Sequence, residues 1–188
     1  PGIGDSAMKL PRFVFAAALV AALPAQAAPA SHNVLIFVAD GLRYVSVTPQ
    51  TAPELWAVKN KGVDFTNSHS LYPTITTVNA SAIATGHYIG DTGNFGNGLY
   101  SGFDSAVTHA PIAAMESDVT LGEMNDRFGG NYLNETSLIA AARAAGYATA
   151  VMGKIGPTSI QDVTQRDGTA TMVIDDALGT AKGLPLPA

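Results

Sequence analysis

A continuous apolar run, Asn33-Val-Leu-Ile-Phe-Val-Ala39, stops at Asp40-Gly41. An unbroken run of this length leaves no polar face for water, so it reads as a parallel strand buried on both sides and closed by a turn. A buried parallel strand obliges the chain to supply crossover helices, and the following segments do so. Ala52-Pro-Glu-Leu-Trp-Ala-Val-Lys-Asn-Lys61 reads as a helix, with Pro53 in its first turn and Gly62 as its stop. Val63-Asp-Phe-Thr-Asn67 is expected as a short strand, and a small-residue helix is expected from about Val78 to Thr85. Glu135 to Ala145 reads as a helix ended by Gly146. Tyr147-Ala-Thr-Ala-Val-Met152 is the next strand, closed by the turn Gly153-Lys-Ile-Gly-Pro157, and Thr171-Met-Val-Ile174 is one more. Strands alternating with helices specify an α/β fold, a parallel sheet flanked by helices. The Gly-, Asn- and Asp-rich stretch 86–135 is expected to be irregular, and a long loop inside a compact domain is often functional.

The chain has 188 residues, 47% of them hydrophobic, enough for one domain with a real core. A net charge of −5 with only 10 Lys and Arg argues against a nucleic-acid polymer as partner. Cysteine is absent, which removes disulfides, thiolate metal sites and cysteine nucleophiles. The beginning reads as a leader. Met8-Lys-Leu-Pro-Arg12 is basic, Phe13 to Leu23 is apolar, and Pro24-Ala-Gln-Ala27 ends in a small-x-small cleavage pattern. The apolar part, about 11 residues, is shorter than the ~20 needed to span a bilayer. The expected organisation is therefore upstream residues 1–7, a signal peptide over 8–27, a linker over 28–32 and a catalytic-type domain over 33–188. The mature protein would be periplasmic or secreted, with no stable membrane span, and its oligomeric state is unreadable.

Chemistry concentrates in Leu71-Tyr-Pro-Thr-Ile-Thr-Thr-Val-Asn79, where hydroxyls precede a helix. A Thr at a helix start is an ordinary cap. It is also where a nucleophile meets a phosphate, because free backbone N–H groups and the helix dipole favour anions there. Thr76 and Thr77 are both candidates for a metal-activated alkoxide. Asp40 offers a hard oxygen ligand at the end of a strand, although Asp-Gly is also a common turn pair. Asn79 and Asn97 are amides near the hydroxyls in sequence. Either can donate to a phosphoryl oxygen where negative charge grows, but Asn79 reads better as structural. Lys154 follows a strand in a Gly-flanked turn and can meet an anion or simply face solvent. Ligands in such sheets gather beyond the carboxyl ends of strands. That rule puts Asp40, the 68–77 loop and Lys154 along one edge.

Taken in order, Asn33-Val-Leu-Ile-Phe-Val-Ala-Asp-Gly-Leu-Arg43, Ala52-Pro-Glu-Leu55, Gly62-Val-Asp-Phe65, Tyr72-Pro-Thr-Ile-Thr-Thr-Val-Asn79 and Ala84-Thr-Gly86 resemble the alkaline phosphatase superfamily. The nearest branch is the type I phosphodiesterase/nucleotide pyrophosphatase family, whose nucleophile motif reads Pro-Thr-x-Thr-x-x-Asn. The resemblance implies that Thr76, not Thr77, is the nucleophile and a metal-bound group. It implies that Asp40 is a zinc ligand. It also implies that Asn97, at the end of Gly93-Asn-Phe-Gly-Asn97, contacts a phosphoryl oxygen. Two divalent metal ions, zinc by resemblance, and a small phosphate ester as substrate follow from the same source.

The chain departs from that pattern in several places. Thr77-Val78 stands where the family often has Phe-Pro, and Thr92 where it often has His. The downstream Asp-x-x-x-His and Asp-His ligands are not matched by His32, His69, His87 or His109. The expectation is an N-terminal part of a longer enzyme, with the C-terminal part of the fold missing and little turnover on its own. Sulfatases share an element like Ala145-Gly-Tyr-Ala-Thr-Ala-Val-Met-Gly-Lys154, but their Cys/Ser-x-Pro/Ala-x-Arg motif is not found. Asp104-Ser105-Ala106 and Asp5-Ser-Ala7 match the Asp-Ser-Ala of alkaline phosphatases as chance tripeptides. A sulfatase-like or phosphonate hydrolase, or a non-catalytic exported domain binding an anion or a partner, are the alternatives.

Overall fold

The computed structural model describes residues 33–167, 169–181 and 183–184. The leader, the linker, His32 and the Asp5-Ser-Ala7 tripeptide lie outside the described residues. The chain divides into two units, 1–39 and 40–188.

In the first unit, Asn33 to Ala39 forms neither helix nor strand. Leu35 is 90% exposed and Phe37 71%. The expected buried strand is therefore not present. A strand exists only as a member of a ladder, and no ladder among the described residues includes this segment.

The second unit is mixed α/β. Helix α1, Pro53–Lys61, has Pro53 in its first turn, and the Gly62 N–H closes it on the Val58 carbonyl at 2.9 Å. Val63 to Asn67 is irregular rather than a strand, again without a partner ladder. Helix α2, Thr76–Thr85, starts two residues before the expected position and ends at Gly86 in the left-handed conformation. Stretch 86–135 is more ordered than its composition implies. It contains α3 (Ile89–Thr92), β1 (Gly98–Tyr100), β2 (Ile112–Ala114) and α4 (Asp118–Arg127). β1 and β2 pair antiparallel, with Leu99 opposite Ala113. Three-residue strands are too short to show an alternation. The start of α4, by contrast, has a local signal: the Ser117 hydroxyl caps the Thr120 N–H at 3.3 Å.

Helix α5, Leu138–Ala144, is capped by Ser137 and stops at Gly146, whose φ is 87°. Strands β3 (Thr149–Gly153) and β4 (Thr171–Asp175) form a parallel ladder in register from Thr149–Thr171 to Gly153–Asp175. The short helix α6, Pro157–Ile160, lies between them in sequence. The expected parallel sheet is thus present, as two strands among the described residues.

The core gathers Ala80 and Ala84 of α2, Ala113, Met115, Leu121, Met124, Tyr132, Leu133, Ile160 and Val163. Alanines on the buried face of α2 let α6 approach it closely, and α2 packs chiefly on α6. Below this core, buried Asp162 receives Arg143 Nε at 3.1 Å and the Thr171 hydroxyl at 2.7 Å, which ties α5 to β4. A buried carboxylate is tolerable only with such partners. None of the helices is long and apolar enough to cross a membrane, among the described residues.

Candidate active site

The loop before α2 is fixed by Asn79. Its Oδ1 accepts the Leu71 N–H at 2.8 Å, and its Nδ2 donates to the Ile75 carbonyl at 3.0 Å. The amide of Asn79 is thus consumed by the loop's backbone, the structural role expected for it. Its effect is to deliver the chain to Thr76 in one conformation.

Thr76 is the first residue of α2 and is partly buried. Its hydroxyl has no hydrogen-bond partner among the described residues, and neither do the N–H groups of Thr76 and Val78. No side chain of the preceding residue caps the helix, since Ile75 stands there. The orphan donors of a helix start, combined with its dipole, make a place for an anion.

Thr77 is different. It is wholly buried, and its hydroxyl lies 2.9 Å from Asn97 Oδ1 and 3.0 Å from the Gly96 carbonyl. Its N–H donates to the same Asn97 oxygen at 3.2 Å. Asn97 therefore caps α2 from twenty residues away, which explains why the helix begins at Thr76 rather than Val78. A cap supplied by a distant residue leaves no local signal. Of the two hydroxyls, the free one is Thr76, as the motif implies.

Asn97 is hydrogen-bonded to the residue that follows the nucleophile candidate. Its carbonyl oxygen is engaged by Thr77, and its Nδ2 has no partner among the described residues. The neighbouring Asn94, wholly buried, donates to the Thr77 carbonyl at 3.1 Å and to the Ser81 hydroxyl at 2.6 Å. Sequence reasoning gave Asn94 no role. A second amide two residues after Thr92 and three before Asn97 is unremarkable in a Gly/Asn-rich stretch.

Asp40 is exposed at the Asp40-Gly41 turn, with no hydrogen bond linking it to Thr76. Lys154 lies in the turn after β3, as expected, with its Nζ paired to Glu116. That contact holds the ammonium pKa above its ordinary value, helped by the charges of Asp40 and Asp176. The turn reaches Glu116 because Gly156 permits it. Gly156 has φ of 85°, and a Cβ there would lie 2.8 Å from the Glu116 Cα. Any anion contact by Lys154 has to compete with this ion pair. Ser105, in the chance Asp-Ser-Ala match, is buried and donates to Glu123 at 3.0 Å, so it is structural.

For a metal, Asp40 and Thr76 are hard oxygen donors of the right kind. They are two, however, and the described residues hold no group of three or more His, Cys, Asp or Glu side chains able to bind an ion. The described donor set does not make a complete metal site, and no step is derived through one.

The fold and site together define a mixed α/β protein in which a threonine hydroxyl without a partner among the described residues opens a helix capped by the Asn97 amide. The family model for type I phosphodiesterase/nucleotide pyrophosphatase matches residues 34–181. The chain belongs to that family of phosphoric ester hydrolases, part of the alkaline phosphatase superfamily. No curated protein and no solved structure matches the chain.

Proposed function

We propose that this chain carries the nucleophile of an exported phosphoric ester hydrolase and acts through a phospho-threonine on Thr76. The observation that supports it is the free Thr76 hydroxyl at the start of α2, beside an Asn97 amide whose only unused atom is a donor. Thr76 Oγ attacks phosphorus in line with the leaving oxygen. The Oγ–P bond forms as the P–O ester bond breaks, the threonine proton passes to solvent, and the leaving group departs protonated. Water then cleaves the Thr76–phosphate ester and restores the hydroxyl. Asn97 Nδ2 and the free N–H groups of α2 hold the non-bridging oxygens, where charge grows in both steps.

The family is typically metal-dependent. Within the proposal, Asp40 and Thr76 are the groups that would touch a pair of divalent ions, zinc by resemblance, which would lower the pKa of the threonine hydroxyl. The substrate is a small phosphate mono- or diester. Residues 8–27 act as the export leader, and 33–188 form the nucleophile-bearing part of the catalytic domain.

Acid quenching of the natural full-length enzyme during turnover should trap phosphate on the peptide containing Thr76, read by mass spectrometry. Phosphate on another residue, or none under conditions of rapid turnover, removes the proposal. The purified 188-residue chain, even with added zinc, is expected to hydrolyse bis(p-nitrophenyl) phosphate barely above the uncatalysed rate, since its described residues offer only two ligands. Robust turnover by that chain would show that the ligand set is complete as it stands.

A further inference from the structure

We propose that Thr77 is a positioning residue, holding the Asn97 amide in the one orientation that presents a donor to the phosphoryl group. The inference rests on the function proposed for Thr76 and Asn97 and assigns a role to the neighbour that the nucleophile motif leaves open.

A side-chain amide has an acceptor and a donor end of nearly the same shape, and it can turn over. With the carbonyl end toward a phosphoryl oxygen, it would repel the anion it is meant to bind. The Thr77 N–H decides the matter. It can only donate, and it lies 3.2 Å from Asn97 Oδ1. An amide turned the other way would put N–H against N–H. The Thr77 hydroxyl, 2.9 Å from the same oxygen and 3.0 Å from the Gly96 carbonyl, shares one proton between two acceptors. It thereby fastens both the amide and the backbone that carries it to the start of α2.

Thr77 is itself held. It is wholly buried, and its carbonyl accepts Asn94 Nδ2 at 3.1 Å and the Ser81 hydroxyl at 2.9 Å. The donor amide of Asn97, in the loop before β1, is thus anchored to the helix residue that follows the nucleophile, a fixed placement of the kind that electrostatic stabilisation of a transition state needs. This also gives meaning to Thr77 where the family often has Phe. A Phe side chain has no hydroxyl with which to hold the Gly96 carbonyl and the amide.

The test uses the natural full-length enzyme loaded with zinc, with bis(p-nitrophenyl) phosphate as substrate. Thr77→Val keeps the N–H that orients the amide and removes the hydroxyl that fastens it. It should therefore lower kcat about 10-fold, short of the ~10²–10³ for losing an oriented donor outright, with KM changed less than about threefold. Thr77→Ser should restore kcat. In an Asn97→Ala background, Thr77→Val should cost nothing further, because the group it positions is gone. If Thr77→Val folds poorly by thermal melting, Thr77→Ala carries the same kinetic expectation, measured well below its own, lowered melting temperature, since it removes the hydroxyl without adding a branched side chain to the buried site. Wild-type kcat in the folded Thr77 variants, or an equal loss with and without Asn97, overturns the positioning role. Full turnover in Thr76→Ala and Asn97→Ala would instead overturn the underlying reading of the site.

Discussion

Thr76→Ala is expected to abolish phosphoester turnover in the natural full-length enzyme, by at least about 10⁴-fold, the scale on which a lost covalent nucleophile is felt. The fold should not suffer. The Thr76 hydroxyl bonds to no described residue, so its removal orphans nothing. Alanine is also the better helix former, and the change in stability should stay within about 0.5 kcal/mol. Thr77→Ala provides the contrast. It strips one hydroxyl donor from a wholly buried cluster, and leaving the Gly96 carbonyl short of a partner should cost about 1–3 kcal/mol. Kinetics and thermal melts on the two variants separate a nucleophile, whose loss abolishes turnover without touching stability, from a positioning hydroxyl, whose loss lowers turnover in part and destabilises the fold. Turnover retained in Thr76→Ala and lost in Thr77→Ala would exchange their roles.

The contrast between these adjacent threonines shows what sequence can carry. The order of Pro73, Thr76, Asn79, Gly93 and Asn97 pointed to Thr76 through the family resemblance, and of the two threonine hydroxyls it is the one without a hydrogen bond among the described residues. It did not reveal that Asn97 reaches back to cap α2, since capping across twenty residues is a tertiary event. Both ends of α1 and the end of α5 were legible because Pro53, Gly62 and Gly146 act on their own neighbours, whereas α5 begins at Leu138 under a Ser137 cap, three residues after the expected Glu135. β3 and β4 were legible from apolar runs that do find each other. The equally apolar run Asn33–Ala39 found no ladder among the described residues, and an apolar run states a need for partners without providing them. Lys154 was readable as a turn residue, but its partner Glu116 comes from beyond β2, in a stretch whose composition hid both strands and a ten-residue helix.

The stability of the chain is expected to fall as pH rises from about 4 to above 6, and Asp118→Asn is expected to flatten that fall. Asp118 opens α4 and is 2% exposed; Asp175 closes β4 and is 8% exposed. Asp118 accepts from the Ser159 hydroxyl and from the Leu184 N–H, while Asp175 Oδ1 accepts the Ala177 N–H. Asp175 Oδ2 is buried with no donor. A proton carried on Asp118 supplies one. Burial, and then the adjoining Asp175 carboxylate, push the Asp118 carboxyl up to about 6, against the pull of Ser159 and Leu184. In the unfolded chain the group titrates near 3.8. Between those pH values the folded state keeps a proton that the unfolded state releases. The contribution is therefore complete below about 4 and is lost as pH rises through 6. A rise of this size corresponds to about 2–3 kcal/mol. The nearby charges, Asp162 with Arg143 and Arg166 with Asp126, are paired and common to both proteins. Exposed Asp167, whose pKa is lowered by the bonds from Thr169, is common to both as well, so its opposite contribution cancels in the comparison. Asn at 118 keeps an acceptor for Ser159 and an N–H for Asp175 at every pH, and it gives up the acceptor of the Leu184 N–H, a loss that lowers its stability equally at every pH and leaves the slope unaffected. Urea unfolding at pH 4, 5, 6 and 7.5 should show the wild type losing ground to Asp118→Asn across this window. Parallel profiles would mean that the two carboxyls do not share a proton.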